Sequence, residues 1–193
     1  MTGFHTRSEI SKWSVKMKIN IRRIASSAVV AAIYAALTML LAPISYGNIQ
    51  LRVSEAMCIL PFFFPYLSWG LFAGCFISNL LSPIGLADAV FGSAATLAAC
   101  IIIGYAGKKM AVKHVKAARL TACLAPVVTN GLVLGAVMAW VSSPEKIFFK
   151  MFAVYASEIA AGEAAVMFAI GLPLLIYFPR TTVFRMIADK NDK

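Results

Sequence analysis

Long, uncharged apolar stretches dominate the chain and predict membrane-spanning helices. Four of them are long enough to cross a bilayer: Ile24 to Ile44, Leu86 to Ala106, Leu120 to Val141 and Phe152 to Phe178. About 20 apolar residues span the hydrocarbon core, because an α-helix rises ~1.5 Å per residue. The pattern predicts an all-α integral membrane protein.

The region between the first two of these stretches is apolar but interrupted. From Val53 to Leu81 the run is broken by Pro61 and Pro65, and then by Ser68, Trp69 and Gly70. Proline removes a backbone donor and disfavours helix in the residue before it, so we expect a tight reversal near Pro65 to Trp69. The segment predicts a hairpin of two short helices, which gives a compact bundle of about six transmembrane helices.

The distribution of positive charge favours that number of crossings. The chain carries 18 lysines and arginines against 8 acids, and most of the basic residues lie between the apolar stretches. With six crossings, all of the basic residues except Arg52, Lys146 and Lys150 lie on the cytoplasmic side, as the positive-inside rule requires. We expect both termini in the cytoplasm, with a basic tail (1–23), a membrane domain (24–178) and a C-terminal tail (179–193). This placement argues for a lipid bilayer, and not nucleic acid, as the partner of the positive charge.

Four carboxylates interrupt the apolar stretches: Glu55, Asp88, Glu158 and Glu163. A charge near the bilayer centre costs at least ~2.5 kcal/mol, so such residues usually face a cavity and mark a substrate, ion or proton site. Mean hydropathy is +0.81, so these acids are exceptional in their surroundings.

In the six-helix arrangement, most of the polar side chains fall in the outer half of the membrane. Carboxylates and amides suit a ligand with a positive charge and several N–H donors, and aromatic neighbours add a cation–π contribution. We expect a substrate site with an external gating loop, and two secondary candidates nearer the midplane. The predicted site residues are Glu55, Asn79, Asp88, Tyr155 and Glu158, the gating loop holds Asn48, Gln50 and Arg52, and the secondary candidates are Asn130 and Glu163.

Structural interpretations of the same residues stay open. Glu55 could pair with Arg52 at the membrane surface, and Asp88 could cap the helix that follows the Ser-Pro-Ile-Gly turn. Asn79 and Asn130 could join neighbouring helices by hydrogen bonds.

Two of the acids lie on the last apolar stretch but on different faces. Glu163 is five residues beyond Glu158, or about 140° round a helix, so the two cannot readily contact one ligand. One of them could instead hold a neighbouring helix.

Small residues recur every four positions and allow helices to approach closely. Ala28, Ala32 and Ala36 form such a face on the first helix, and Gly70 with Gly74 and Gly131 with Gly135 have the same spacing. Each set could serve a contact within the chain or a contact with a partner.

Motifs of catalysis are absent from the sequence. The four cysteines lie in apolar segments without C-x-x-C spacing, and no H-E-x-x-H or G-x-S-x-G occurs. We expect neither an enzyme nor a metal or cofactor site.

Two stretches carry a family resemblance. The run from Ser45 to Ala56, SYGNIQLRVSEA, is followed by LPFFFP from Leu60 to Pro65, and together they resemble the QueT family of queuosine-precursor transporters. The resemblance continues through Asn79, Asp88 and the segment Glu158 to Glu163, and covers most of the chain beyond its basic N-terminal tail.

The resemblance implies a substrate-binding S component of an energy-coupling factor transporter in a prokaryotic plasma membrane. Such a protein captures an aminomethyl-deazaguanine from outside and works with a transmembrane coupling subunit and two ATPase subunits. The alanine face of the first helix resembles the motif that docks onto the coupling subunit. The alternative is a proton- or sodium-coupled secondary transporter of a small heteroaromatic cation.

Overall fold

A computed structural model describes residues 21–46, 50–142, 144–181 and 184 of the chain. Every regular element in these ranges is helical, which confirms the all-α prediction. The predicted tails, 1–23 and 179–193, lie largely outside the described residues.

Within the described ranges, five helices longer than ten residues form the bundle. They are α1 (Ile21–Leu40), α2 (Ser68–Asn79), α3 (Asp88–Met110), α4 (Val115–Ser142) and α5 (Phe148–Arg180). In the described part of the chain, α1, α3, α4 and α5 are long and apolar enough to cross a membrane, as the four long stretches predicted. The number of crossings and the cytoplasmic position of both termini stay predictions.

A 3₁₀ helix, Val53–Phe62, and the short helix α2 form the predicted hairpin between α1 and α3. The chain leaves the 3₁₀ helix at Phe63, and Phe64 is extended at φ −131° and ψ 78° because Pro65 follows it. A 3₁₀ turn, Pro65–Leu67, then leads into α2, which begins at Ser68. The reversal therefore begins at Phe63 and overlaps the first part of the predicted Pro65 to Trp69.

Small residues let α1 and α2 meet backbone to backbone. A Cβ on Gly74 would lie 2.6 Å from the carbonyl oxygen of Ala31, and a Cβ on Gly70 would collide with the carbonyl of Ser27. The Gly70 and Gly74 pair therefore serves a contact within the chain.

The second glycine pair joins α4 to α5. A Cβ on Gly135 would lie 2.8 Å from Cα of Ala156, and one on Gly131 would lie 3.2 Å from Cβ of Ala160. This contact fixes which face of α5 is turned toward α4.

The third small-residue set differs from these two. Ala28, Ala32 and Ala36 are exposed on α1, whereas Ala31 and Ala35 are buried. The face remains open to a partner.

We expect Gly74→Ala to lower the thermal midpoint in detergent, because overpacking at a backbone contact costs about 1–3 kcal/mol. A thiol-reactive dye can follow unfolding, since the four cysteines are buried and free. Gly104→Ala is the control, because a Cβ there meets its nearest atom at an ordinary 3.5 Å. Equal midpoints for the two variants would contradict the close α1–α2 contact.

Candidate functional site

A buried ion pair lies where the first turn of the 3₁₀ helix meets the start of α3. Arg52 Nη2 is 3.0 Å from Asp88 Oδ2, and the two side chains are 1% and 2% exposed. Removing two charges from water is costly unless they compensate each other. The pair therefore ties the chain before the 3₁₀ helix to the beginning of α3.

The turn before α3 positions Asp88. Gly85 adopts φ +63°, a left-handed conformation that favours glycine, and its N–H donates to the carbonyl of Ser82 at 2.9 Å. Asp88 then begins a π-helical turn, Asp88–Gly92, of a kind frequent at functional sites. Among the described residues its carboxylate accepts hydrogen bonds from the side chains of Arg52 and Asn79, so pairing with Arg52 replaces the capping interpretation.

Asn79, at the end of α2, holds the other side of Asp88. Its Nδ2 donates to the backbone oxygen of Asp88 at 3.2 Å and to Oδ1 at 3.4 Å. Gly92 leaves room for this contact, because a Cβ there would lie 2.7 Å from both Asn79 Nδ2 and Asp88 Oδ1. Asn79 therefore orients the carboxylate instead of only joining two helices.

Glu55 is fully buried and is surrounded by neutral donors. Its Oε1 accepts hydrogen bonds from the hydroxyls of Tyr34 at 2.5 Å and Thr96 at 3.2 Å. The thiol of Cys58 donates to Oε2 at 3.0 Å. The interpretation of Glu55 as the partner of Arg52 is therefore wrong, since Arg52 pairs with Asp88.

Two residues of the predicted gating loop are buried. Gln50 is 7% exposed and Arg52 is 1% exposed, while Asn48 lies outside the described residues. Burial raises the pKa of the Tyr46 hydroxyl above its usual value, and the nearby charge of Arg52 opposes that rise. The Arg52 guanidinium lies 5.8 Å from the Tyr46 ring centroid, and Tyr46 donates to the carbonyl of Ser78 at 2.6 Å. Tyr46, before the loop, is therefore hydrogen-bonded to α2, and Arg52, at the end of the loop, is paired with the start of α3.

The α5 candidates separate into a buried one and two half-buried ones. Tyr155 and Glu158 are half-buried, and within the described residues neither side chain hydrogen-bonds to the residues around Asp88 or Glu55. Glu158 lies two residues from both Ala156 and Ala160, so about 200° of helix rotation turns it away from α4.

Glu163 is buried and contacts α4. Its Oε1 accepts a 2.7 Å hydrogen bond from Asn130 Nδ2, and the two residues are 2% and 0% exposed. The expectation that one of the two α5 acids holds a neighbouring helix therefore fits Glu163.

The QueT transporter family model matches residues 24–180. The chain belongs to the QueT transporter family. A protein named queuosine precursor transporter QueT, from Lactococcus lactis subsp. cremoris (strain MG1363), is 43% identical to this chain over 76 residues. That match covers 38% of this chain and 44% of the relative, so the chain spans less than half of the relative's length. No solved structure matches the chain.

Membership of the QueT transporter family and the apolar helices identify a multi-pass membrane protein. The described residues include three buried carboxyl groups, those of Glu55, Asp88 and Glu163, and one buried guanidinium, that of Arg52. Such a balance favours a cationic ligand. No group of three or more His, Cys, Asp or Glu positioned for a metal occurs among the described residues.

Sequence reasoning missed the donors around Glu55. Tyr34, Thr96 and Cys58 lie in strongly apolar segments, where single hydroxyls and thiols do not stand out. The one available signal was the spacing of Tyr34 and Thr38, which are four residues apart and so share a face of α1. In the structure that face is buried, and Thr38 Oγ1 lies 2.6 Å from Ser54 Oγ.

We expect Arg52→Met to be strongly destabilising, because it leaves Asp88 buried without its cation at a cost of about 3–5 kcal/mol. The measurement is the thermal midpoint in detergent. The double variant Arg52→Met, Asp88→Asn should regain much of the loss, since no charge is then left uncompensated. An Arg52→Met midpoint equal to the wild-type value would contradict the role of the pair.

Proposed function

We propose that this protein is the substrate-binding component of an energy-coupling factor importer and captures an aminomethyl-deazaguanine, a queuosine precursor, from outside. Family membership and the printed name of the Lactococcus relative support the substrate class. The observation that carries the proposal is the set of buried carboxylates at the start of the 3₁₀ helix and of α3, which exceed the nearby cations.

The ligand chemistry complements these groups. An aminomethyl-deazaguanine carries an ammonium group, and a carboxylate in a dry site binds ammonium through short, charge-assisted hydrogen bonds. Asp88 is held by Arg52 and Asn79, and Glu55 by three neutral donors, so both carboxylates are oriented before a ligand arrives. Orientation in advance lowers the entropy cost of binding.

The remaining predicted residues have assigned places in this proposal. Gln50 and Arg52, with Asn48, form the external gating loop, and Tyr155 and Glu158 belong to the binding site from the side of α5. Their half-buried positions leave them able to complete a site that closes around its ligand.

Coupling to transport is assigned to the exposed alanine face of α1, defined by Ala28, Ala32 and Ala36. A smooth face of small residues lets another helix approach closely within a membrane, where van der Waals contact drives association. In this proposal a transmembrane coupling subunit docks on that face, and two ATPase subunits supply the energy. A secondary transporter would instead move its substrate without ATP, in response to a proton or sodium gradient.

Binding is tested by calorimetric titration of the purified protein with aminomethyl-deazaguanine and with the neutral cyano-substituted analogue. We expect the cation to bind more tightly, and Asp88→Asn or Glu55→Gln to weaken it by about 10- to 100-fold, the value of a charge-assisted hydrogen bond. Glu158→Gln tests the α5 prediction, with Ser157→Ala, an exposed neighbour, as its control. Unchanged affinity in both Asp88→Asn and Glu55→Gln would contradict the proposed site.

Coupling is tested by uptake into vesicles that contain the coupling and ATPase subunits. We expect Ala32→Trp to abolish ATP-dependent uptake while ligand affinity is retained, because the large side chain blocks close helix approach. Ala98→Trp, at an exposed alanine of α3, is the matched control and should transport normally. Uptake by the protein alone, driven by an ion gradient, would favour the secondary transporter.

A further inference from the structure

The Asn130–Glu163 pair keeps unused hydrogen-bonding capacity inside the bundle. Asn130 Nδ2 donates to Glu163 Oε1 at 2.7 Å, yet Asn130 Oδ1 and Glu163 Oε2 have no hydrogen-bond partner among the described residues. Both residues are at least 98% buried. A buried acceptor without a partner costs about 1–3 kcal/mol, and more when it is charged. The pair is therefore an expensive feature that stability alone does not require.

Helix association gives no sufficient reason for the pair. The faces of α4 and α5 already meet through Gly131 and Gly135 against Ala156 and Ala160, where an added Cβ would lie 3.2 Å and 2.8 Å from the nearest atom. Such contacts drive helix association in membranes without polar residues. Two apolar side chains in place of Asn130 and Glu163 would bury their surface without leaving acceptors unpaired.

The position of the pair connects it to the residues around Asp88 and Glu55. The 3₁₀ helix that carries Glu55 packs against both α4 and α5. Leu134, one turn beyond Asn130 on α4, also reaches the start of α3, because its Cδ2 would lie 3.2 Å from a Cβ on Gly92. Arg52 has unpaired donors that complement the acceptors of the pair, because its Nε and Nη1 are buried and have no hydrogen-bond partner among the described residues. The unpaired acceptors on α4 and α5 and the unpaired donors before the 3₁₀ helix thus belong to elements that pack against one another.

Two unpaired acceptors and a guanidinium with unpaired donors are complementary to one kind of heteroaromatic ring edge. A ring N–H beside an exocyclic amino group offers two adjacent donors, which a carboxylate and an amide oxygen accept together. A ring carbonyl next to them accepts from a guanidinium. We propose that Glu163 and Asn130 recognise the paired N–H donors of an aminopyrimidinone edge, and so select the ligand against analogues that lack the exocyclic amine. The inference rests on the proposed function and assigns the selectivity for the ring to this pair. It takes Glu163 in place of Glu158 as the α5 acid that contacts the ligand, because the two acids lie on different faces of α5.

The test is a selectivity ratio measured by calorimetric titration in detergent. The probes are aminomethyl-deazaguanine and the same compound without its exocyclic amino group. We expect the wild type to prefer the aminated compound by at least about tenfold, because the deaminated one leaves a buried acceptor unpaired. Glu163→Gln should reduce that preference to about threefold or less, with little change in affinity for the deaminated compound.

The variant is chosen to preserve the fold. A glutamine oxygen can still accept from Asn130 Nδ2, so the contact between α4 and α5 is kept while one acceptor becomes a donor. Thr129→Val is the matched control on α4, because the Thr129 hydroxyl only donates to the carbonyl of Ala125. It should leave the ratio unchanged.

The possible outcomes are distinct. Loss of preference in Glu163→Gln alone supports the proposal. An unchanged ratio in Glu163→Gln, or a ratio that responds to Glu158→Gln instead, overturns it and leaves the proposed function standing if Asp88→Asn still weakens binding. A wild type that binds both compounds equally overturns it without any variant. A wild type that binds neither compound overturns this inference and the proposed function together.

Discussion

The Arg52–Asp88 ion pair is the contact around which the polar region of this protein is organised. A charged side chain inside a membrane bundle needs a partner, and here the partner comes from a different part of the chain. The pair brings the segment before the 3₁₀ helix to the first turn of α3, and Asn79 adds the end of α2. Three elements thus converge on one carboxylate, and Glu55 lies one turn further along the same 3₁₀ helix.

Close helix contacts make this convergence possible. Glycines opposite carbonyl groups and alanines bring α1 against α2 and α4 against α5, and that geometry decides which side chains turn inward. On α5, the residues that face α4 are Ala156, Ala160 and Glu163, spaced by four and three positions. Glu158 lies on another side of the same helix. The arrangement of acids is therefore a consequence of where small residues permit contact.

Sequence reasoning succeeded where a single residue type contrasts with its surroundings. Apolar length predicted the long helices. The acids Glu55 and Asp88 stand out in apolar stretches, and the structure buries both and places Asn79 against Asp88. Their part in binding a substrate stays a prediction. Sequence reasoning named the wrong partner for Arg52, because Glu55 is its nearest acid in the sequence, and only the fold brings Asp88 to it. It could not choose between Glu158 and Glu163, since the rotation of α5 depends on its contacts with α4.

A structure of the protein with bound aminomethyl-deazaguanine tests the central claim most directly. The account predicts the ligand ammonium within hydrogen-bond distance, about 2.7–3.2 Å, of Asp88 or Glu55. Its ring should lie between these residues and α5. The opposite result is a ligand bound elsewhere, with no atom near Asp88 or Glu55 and with the contacts of both carboxylates unchanged. That result would contradict the claim that the buried carboxylates form the binding site.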